Sequence, residues 1–286
     1  ARFSEAELCF RQALKLKPGY AEAQMNLGRL CAFMDRPDEA TLAYQTALSV
    51  DPNNVGLEAA ICLAVHHYLE MNFLMLGEML RVSRAITDKT YTQKKSLQTY
   101  WTYLSKLLVY HQQANERINQ GRNLEVLNVI GESHSLSTHG EVVRYRDCEM
   151  KCVAEWIPGC KQWHLGNDKQ NKYKYKFEAV LKHLPRRSTI LLTIGEIDCR
   201  SDEGIMAAWK KSPDNSLEDI AQATTSRYVV YVAKIAKQFE HRIIVGGVAA
   251  TNQKLDMLTS EASRQFVSLI RAFNSMLKEQ ALSAGM

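Results

Sequence analysis

The chain has 286 residues, 46% of them apolar and 23% charged, with 36 lysines and arginines against 31 acids and a formal net charge of +5. That length suits about two domains, and the composition excludes collagenous, low-complexity and intrinsically disordered classes. The basic excess is too small to argue for a nucleic-acid partner, and no apolar run approaches the roughly 18 residues that a membrane span requires.

In chain order, the first segment is repetitive. Ala6, Phe10, Ala13, Leu14 and Pro18 recur 34 positions on as Ala40, Tyr44, Ala47, Leu48 and Pro52, and between the two sets Leu27-Gly28 marks where paired helices approach closely. Small residues at helix crossings and a proline after the second helix describe a helix-turn-helix solenoid unit. Residues 1–54 resemble the tetratricopeptide repeat (TPR), whose period this is. The resemblance implies a protein or peptide partner for the repeats. In that register Ala1 falls in the turn before a second helix, so further repeats are expected ahead of it.

Residues 57–82 read as one more helix, with a Met71, Met75, Met79 stripe packing against the stack. An amphipathic helix follows from Thr92 to about Asn115, bearing Tyr100, Trp101, Leu104 and Leu107. Both read as degenerate or capping solenoid helices, which extends an α-helical solenoid domain over residues 1–118. His66, His67 and His111 within it read as structural. Residues 119–123 read as a linker to a second domain over 124–286.

From Leu124 the hydrophobic period changes. Residues 124–130 form a short apolar run that predicts a buried strand, and 152–157 a second one, closed by Pro158-Gly159. A helix over 171–184 leads to a continuous apolar strand at 189–194. In that helix Tyr173, Phe177, Val180, Leu181 and Leu184 share one face, which leaves the basic cluster between Lys169 and Arg187 on the solvated side. A helix over 217–239, opened by Ser216 as N-cap with Asp219 three residues on, precedes a strand at 242–248 and a last helix at 259–282. Alternating strands and helices imply a parallel sheet covered on both faces, with ligands at the carboxyl ends of its strands.

Two sharp motifs fall at such ends. Gly131-Glu132-Ser133 closes the first strand, where a tight turn exposes a hydroxyl; Gly195-Glu196-Ile197-Asp198 closes the strand at 189–194. The bland alternative for the first is a serine N-cap. Their order and spacing, with Pro158-Gly159-Cys160 between them, resemble the GDSL/SGNH hydrolase family over about 124–286. The resemblance implies a three-layer, flavodoxin-like α/β domain with a mainly parallel sheet. It further implies Ser133 as nucleophile, the Ser133 and Gly159 backbone N–H groups as oxyanion donors, and a third-block role for Gly195, Glu196 and Asp198. Glu132 replaces the family's aspartate. Ile197 replaces the asparagine whose amide donates to the oxyanion, a loss that can cost roughly 3 kcal/mol of transition-state stabilisation. Arg200 could meet an anionic substrate group, against the stronger expectation of a salt bridge to Asp198 or Asp202.

The family's base, a histidine three residues after an aspartate near the C-terminus, has no counterpart in these residues. His241 stands at the wrong end of its strand, and His134 is expected to project away from Ser133. His139 and His164 lie near strand ends without the aspartate pairing. The chain therefore reads as stopping before its last strand, with negligible ester hydrolysis expected from these residues alone. The seven cysteines, Cys9, Cys31, Cys62, Cys148, Cys152, Cys160 and Cys199, are odd in number and contain no C-x-x-C, which argues for reduced thiols and a cytoplasmic setting. Cys148 and Cys152 with His164 match no common metal spacing, and neither a metal nor a cofactor is expected. The readings in contention are an esterase on a small acyl group, such as an acylated carbohydrate, an inactive SGNH-like domain in a TPR scaffold, and acyl transfer onto a glycan.

Overall fold

The computed structural model describes residues 2–90, 95–114, 123–200, 202–212, 214–249 and 261–286, with side chains for all of these but 89–90, 95, 114 and 261–263. The chain divides into two compact units, Ala1–Asn123 and Leu124–Met286.

The first unit is helical: α1 (Phe3–Leu16), α2 (Ala21–Phe33), α3 (Pro37–Val50), α4 (Gly56–Leu69), α5 (Phe73–Thr90) and α6 (Lys95–Ala114). Each helix packs on the next, and α6 also packs on α4. The recurring small residues set the spacing. Ala40, Ala47 and Ala59 are buried in one core with Met25, Leu27, Cys31, Tyr44 and Leu63. A Cβ on Gly28 would stand 2.6 Å from the Tyr44 ring, so α2 and α3 meet at a point only glycine allows. Pro37 opens α3 at its first turn, where its missing N–H costs nothing.

The single helix expected over 57–82 is two. The chain turns after Leu69, with Met71 in the left-handed region at φ 56°, and the Asn72 carboxamide oxygen accepts the Met75 N–H at 3.2 Å to start α5. Hydrophobic periodicity carries straight across this turn, because the residues on either side face the same stack. Met71 therefore lies in the turn rather than in a stripe with Met75 and Met79. Residues 92–94 and 115 of the next expected helix, and 119–122 of the expected linker, lie outside the described residues.

The second unit contains β1 (Glu125–Gly131), α7 (Ser133–Leu136), β2 (Val142–Tyr145), β3 (Cys148–Trp156), α8 (Gln162–Gly166), α9 (Lys172–His183), β4 (Thr189–Thr193), α10 (Gly204–Lys211), α11 (Leu217–Phe239), β5 (Arg242–Val245) and α12 (Glu261–Ser283). Its sheet runs β2-β3-β1-β4-β5. β1 pairs in parallel with β3 and β4, β4 pairs in parallel with β5, and only β2 is antiparallel. The parallel order turns back at β1, so the crevice at the carboxyl ends of β1 and its neighbours is the topological switch point. Ser216 caps α11 as expected, accepting the Asp219 N–H at 3.0 Å.

Three features depart from expectation. Strand β3 begins at Cys148 rather than 152, because residues 142–156 form a hairpin whose turn places Arg146 at φ 55°. β5 ends at Val245, short of 248. The two sheet faces are also unequal. Ile130, Ile190, Leu192 and Ile243 join Phe177, Tyr228, Val232, Leu269 and Phe273 of α9, α11 and α12 in one large core. On the other face Leu127, Val129, Met150 and Cys152 cluster with Val143, Tyr145, Leu191 and Ile244, which are strand residues throughout. The alternation of strands and helices implies cover on both faces; helices join the apolar cluster of the first face, whereas the cluster of the second is made of strand residues. No helix among the described residues is long and apolar enough to cross a membrane.

Candidate active site

The turn after β1 is held by its glycine. Gly131 lies opposite Trp156 of β3 and Thr193 of β4. A Cβ there would come within 2.1 Å of Thr193 Oγ1 and 2.8 Å of the Thr193 carbonyl. The Gly131 carbonyl accepts the Ile157 N–H at 2.7 Å, which ties the end of β3 to the same point. Glu132 leaves the strand in extended conformation and α7 begins at Ser133.

The Glu132 carboxylate is 1% exposed and organises what surrounds it. Ser133 Oγ donates to its Oε2 at 2.6 Å, and His134 Nδ1 is 2.7 Å from its Oε1. Burial pushes the Glu132 carboxyl up, but the bonds from His134 and from the Ser133 side chain and backbone outweigh it and leave it below its ordinary value. The bond to Glu132 raises His134 in turn, against a smaller opposing effect of burial. Ser133 and His134 thus share the Glu132 carboxylate, one on each oxygen, because a glutamate is long enough to reach both neighbours.

Glu196 closes the cluster, with one carboxylate oxygen within 4.8 Å of ligand atoms of Glu132 and His134. Arg200 binds it through Nε at 3.0 Å and Nη2 at 2.8 Å, and reaches Glu203 at 3.4 Å. Glu203 is bonded to Lys161 at 2.8 Å. Arg200 thus pairs with Glu196 and Glu203, not with Asp198 or Asp202 as expected: after the 3-10 turn Ile197–Cys199 the one-turn spacing favours Glu196.

Asp198 faces inward. It is 0% exposed, and its carboxylate accepts the backbone N–H groups of Gln162 at 2.7 Å and Trp163 at 3.1 Å. Burial pushes its pKa up to about 6 despite those bonds. Its work is to anchor the start of α8, and with it the Gly159 turn, to the loop after β4. Gly159 sits at φ 70° in that turn. Gly195, at φ 142°, packs where a Cβ would meet Gln162 Nε2 at 2.9 Å. Gln162 is itself wholly buried, donates to the Ile194 carbonyl at 2.7 Å and leaves its Oε1 without a hydrogen-bond partner. Thr193 Oγ1 beside Gly131 is likewise buried and unpaired.

His139, His164 and His241 each hold a structural contact. His139 Nδ1 accepts the Ala154 N–H at 3.0 Å. His164 Nδ1 accepts the Lys161 N–H at 3.1 Å and its ring stacks on Tyr173 at 3.9 Å; burial depresses it to about 4, so it stays neutral. His241 Nε2 meets the Leu181 carbonyl at 2.8 Å, at the amino end of β5. Cys160 and Cys199 are buried, and burial holds both thiols up and protonated. A cleft of about 410 Å³ lies between α8 and α11, lined by Trp163, Asn167, Asp219, Thr224 and Arg227 among others; Ser133 does not line it.

The sequence pointed to Ser133, Gly159, Gly195, Glu196, Asp198 and Arg200. The structure brings Ser133, Glu196 and Arg200 around Glu132 and His134, sets Asp198 and Gly195 against the start of α8 with Gly159 in the turn before it, and adds Gln162, Lys161 and Glu203. The signal for the Glu132–His134 pair was the acid and histidine flanking the serine in one four-residue run.

Comparison with known proteins bears on the first unit. The tetratricopeptide repeat family matches residues 21–54. The protein O-mannosyl-transferases TMTC3 of Homo sapiens and Mus musculus are similar to the chain at 37% identity over 57 residues, 20% of this chain and 6% of each relative. The chain thus spans about 6% of the length of these curated relatives. Helices α2 and α3 are therefore a tetratricopeptide unit by pattern, packing and family match together.

Proposed function

We propose that this chain joins a tetratricopeptide scaffold, which takes a protein or peptide partner, to an α/β unit that acts as an SGNH-like serine acyl hydrolase on a small ester, with an acylated carbohydrate as the leading substrate class. The observation that supports it is the turn at the switch point: Ser133 follows the central strand, with an acid–imidazole pair 2.7 Å apart at its side. In this reading Ser133 Oγ attacks the ester carbonyl and passes its proton to His134. Glu132 holds the ring through Nδ1, so Nε2 receives the proton and later returns it to the leaving alcohol. The backbone N–H groups of Ser133 and Gly159 face the oxyanion, and water then releases the acyl group. Ser133 must first leave Glu132; such bonds commonly realign only when substrate is bound.

A second reading has its own observation. Ser133 Oγ donates to a carboxylate rather than to an imidazole, and Ile197 offers no side-chain donor where the family has one. Both fit an inactive SGNH-like domain whose chain works as a scaffold. Labelling with a fluorophosphonate, together with hydrolysis of a p-nitrophenyl acetate substrate, separates the two. The hydrolase reading expects labelling that Ser133→Ala abolishes and that His134→Gln slows by roughly 100-fold or more, the contribution of a general base. Full-length protein that neither labels nor hydrolyses supports the scaffold; labelling unchanged in His134→Gln places the base elsewhere.

A further inference from the structure

The end of α4 carries a second cluster of histidines and acid, in the helical unit and unrelated to the Ser133 turn. His66 and His67 stand in the last turn, and Glu70 caps the helix. His66 Nε2 is 3.2 Å from Glu70 Oε1 and His67 Nδ1 is 3.6 Å from Glu70 Oε2. The two rings lie 5.4 Å apart, and one ligand atom from each of the three residues falls within 4.8 Å of the others.

Two observations go beyond an ordinary helical ion pair. His67 is 8% exposed, and its Nδ1 is buried with no hydrogen-bond partner. At 3.6 Å it points to Glu70 from beyond bonding distance, and a buried nitrogen left in this way is costly. Second, Glu70 places a carboxylate at a helix C-terminus, where the unsatisfied carbonyls already make the potential negative. A cation between the three groups satisfies the nitrogen and reverses the sign of that repulsion. The separations of Glu70 from His66 and His67, 3.2 and 3.6 Å, suit one: ligands about 2.0–2.1 Å from a tetrahedral zinc lie about 3.3 Å from each other. By contrast the 2.7 Å contact of His134 with Glu132 is a hydrogen bond. Glu70 lies one turn on from both histidines, at i+4 from His66 and i+3 from His67, where side chains of a helix are neighbours.

We propose that His66, His67 and Glu70 form a site for a zinc-type divalent cation at the C-terminus of α4, with water in the fourth position. The ion clamps the last turn of α4 beside the turn into α5. Glu70 is half-exposed, so the open position faces solvent.

The test is titration of zinc into the metal-stripped full chain by calorimetry, with cobalt(II) absorption as a second readout. One equivalent is expected, with cobalt bands lacking the intense near-ultraviolet absorption of thiolate ligands, and thermal unfolding shifted upward on zinc addition. His66→Gln and Glu70→Gln lie on the accessible side of the site and are expected to fold. Each should weaken zinc by more than about 100-fold, beyond the roughly 10–100-fold seen when a residue only buttresses a ligand. His134→Gln should leave the titration unchanged. No binding at micromolar zinc, binding retained in both variants, binding lost in His134→Gln, or a thiolate signature would each overturn the assignment.

Discussion

At Glu132 one buried carboxylate serves a serine and a histidine, and the pH response of the turn follows from that sharing. Glu132 titrates below its usual 4.5 and His134 above its usual 6.5. The acid's contribution to stability is present above about pH 4.5 and is lost as pH falls through its lowered folded value. The histidine's is present below about pH 6.5 and is lost as pH rises through its raised folded value. The pair therefore stabilises the fold most between those limits. His134→Gln should lower the melting temperature clearly at about pH 5.5 and little at about pH 9, measured by thermal unfolding of both proteins. An equal loss at both values would show that His134 acts through packing. If the imidazole is the base, the acid limb of any esterase activity should lie above 6.5 for the same reason. None of this was legible in a one-dimensional reading. The residues of the turn were visible, but whether neighbouring side chains converge or diverge depends on the conformation of Glu132 and on the close fit of Gly131 against Thr193.

At the scale of elements, repeated small residues were the most legible feature, because their spacing encodes helix crossings directly. Gly28 meets Tyr44 so closely that Gly28→Ala, despite the better helix propensity of alanine, should destabilise the helical unit by roughly 1–3 kcal/mol through overpacking. Helix loss followed by circular dichroism under denaturant checks it; a neutral or stabilised variant would mean that α2 and α3 can part without cost. The α4–α5 turn and the β2–β3 hairpin escaped the same reading for one reason. Each turns on a non-glycine residue at positive φ, Met71 and Arg146, and neither residue type signals that backbone conformation. The helix over 172–183 was legible from its apolar face, and the 23-residue α11 from the Ser216 cap at its start.

Across the whole molecule the seven cysteines are free thiols, and their exposure differs sharply. Cys9 and Cys148 are exposed, Cys31, Cys152, Cys160 and Cys199 are buried, and burial pushes the Cys62 thiol up to about 12. Cys9 and Cys148 should react promptly with a chromogenic disulfide in the native protein, the half-buried Cys62 more slowly, and the four buried thiols only on unfolding. More than two fast equivalents would show that one of the cores opens readily. The sequence by itself determined the order of the chain: a helical solenoid with a 34-residue repeat, then alternating strands and helices with Gly-Glu-Ser at the end of the first strand. Periodicity and turn chemistry are local, so they survive in one dimension. Only the tertiary structure decided that Asp198 braces α8 across 36 positions of sequence and that Lys161 reaches Glu203 across 42. Glu132 with Ser133 and His134, Arg200 with Glu196 and Glu203, and Glu70 with His66 and His67 are neighbours along the chain, and there the structure decided which way the side chains turn. Hydrogen bonds and charge pairs act over about 3 Å, so distant residues meet only where strands and helices pack, and near ones only where the backbone turns them together.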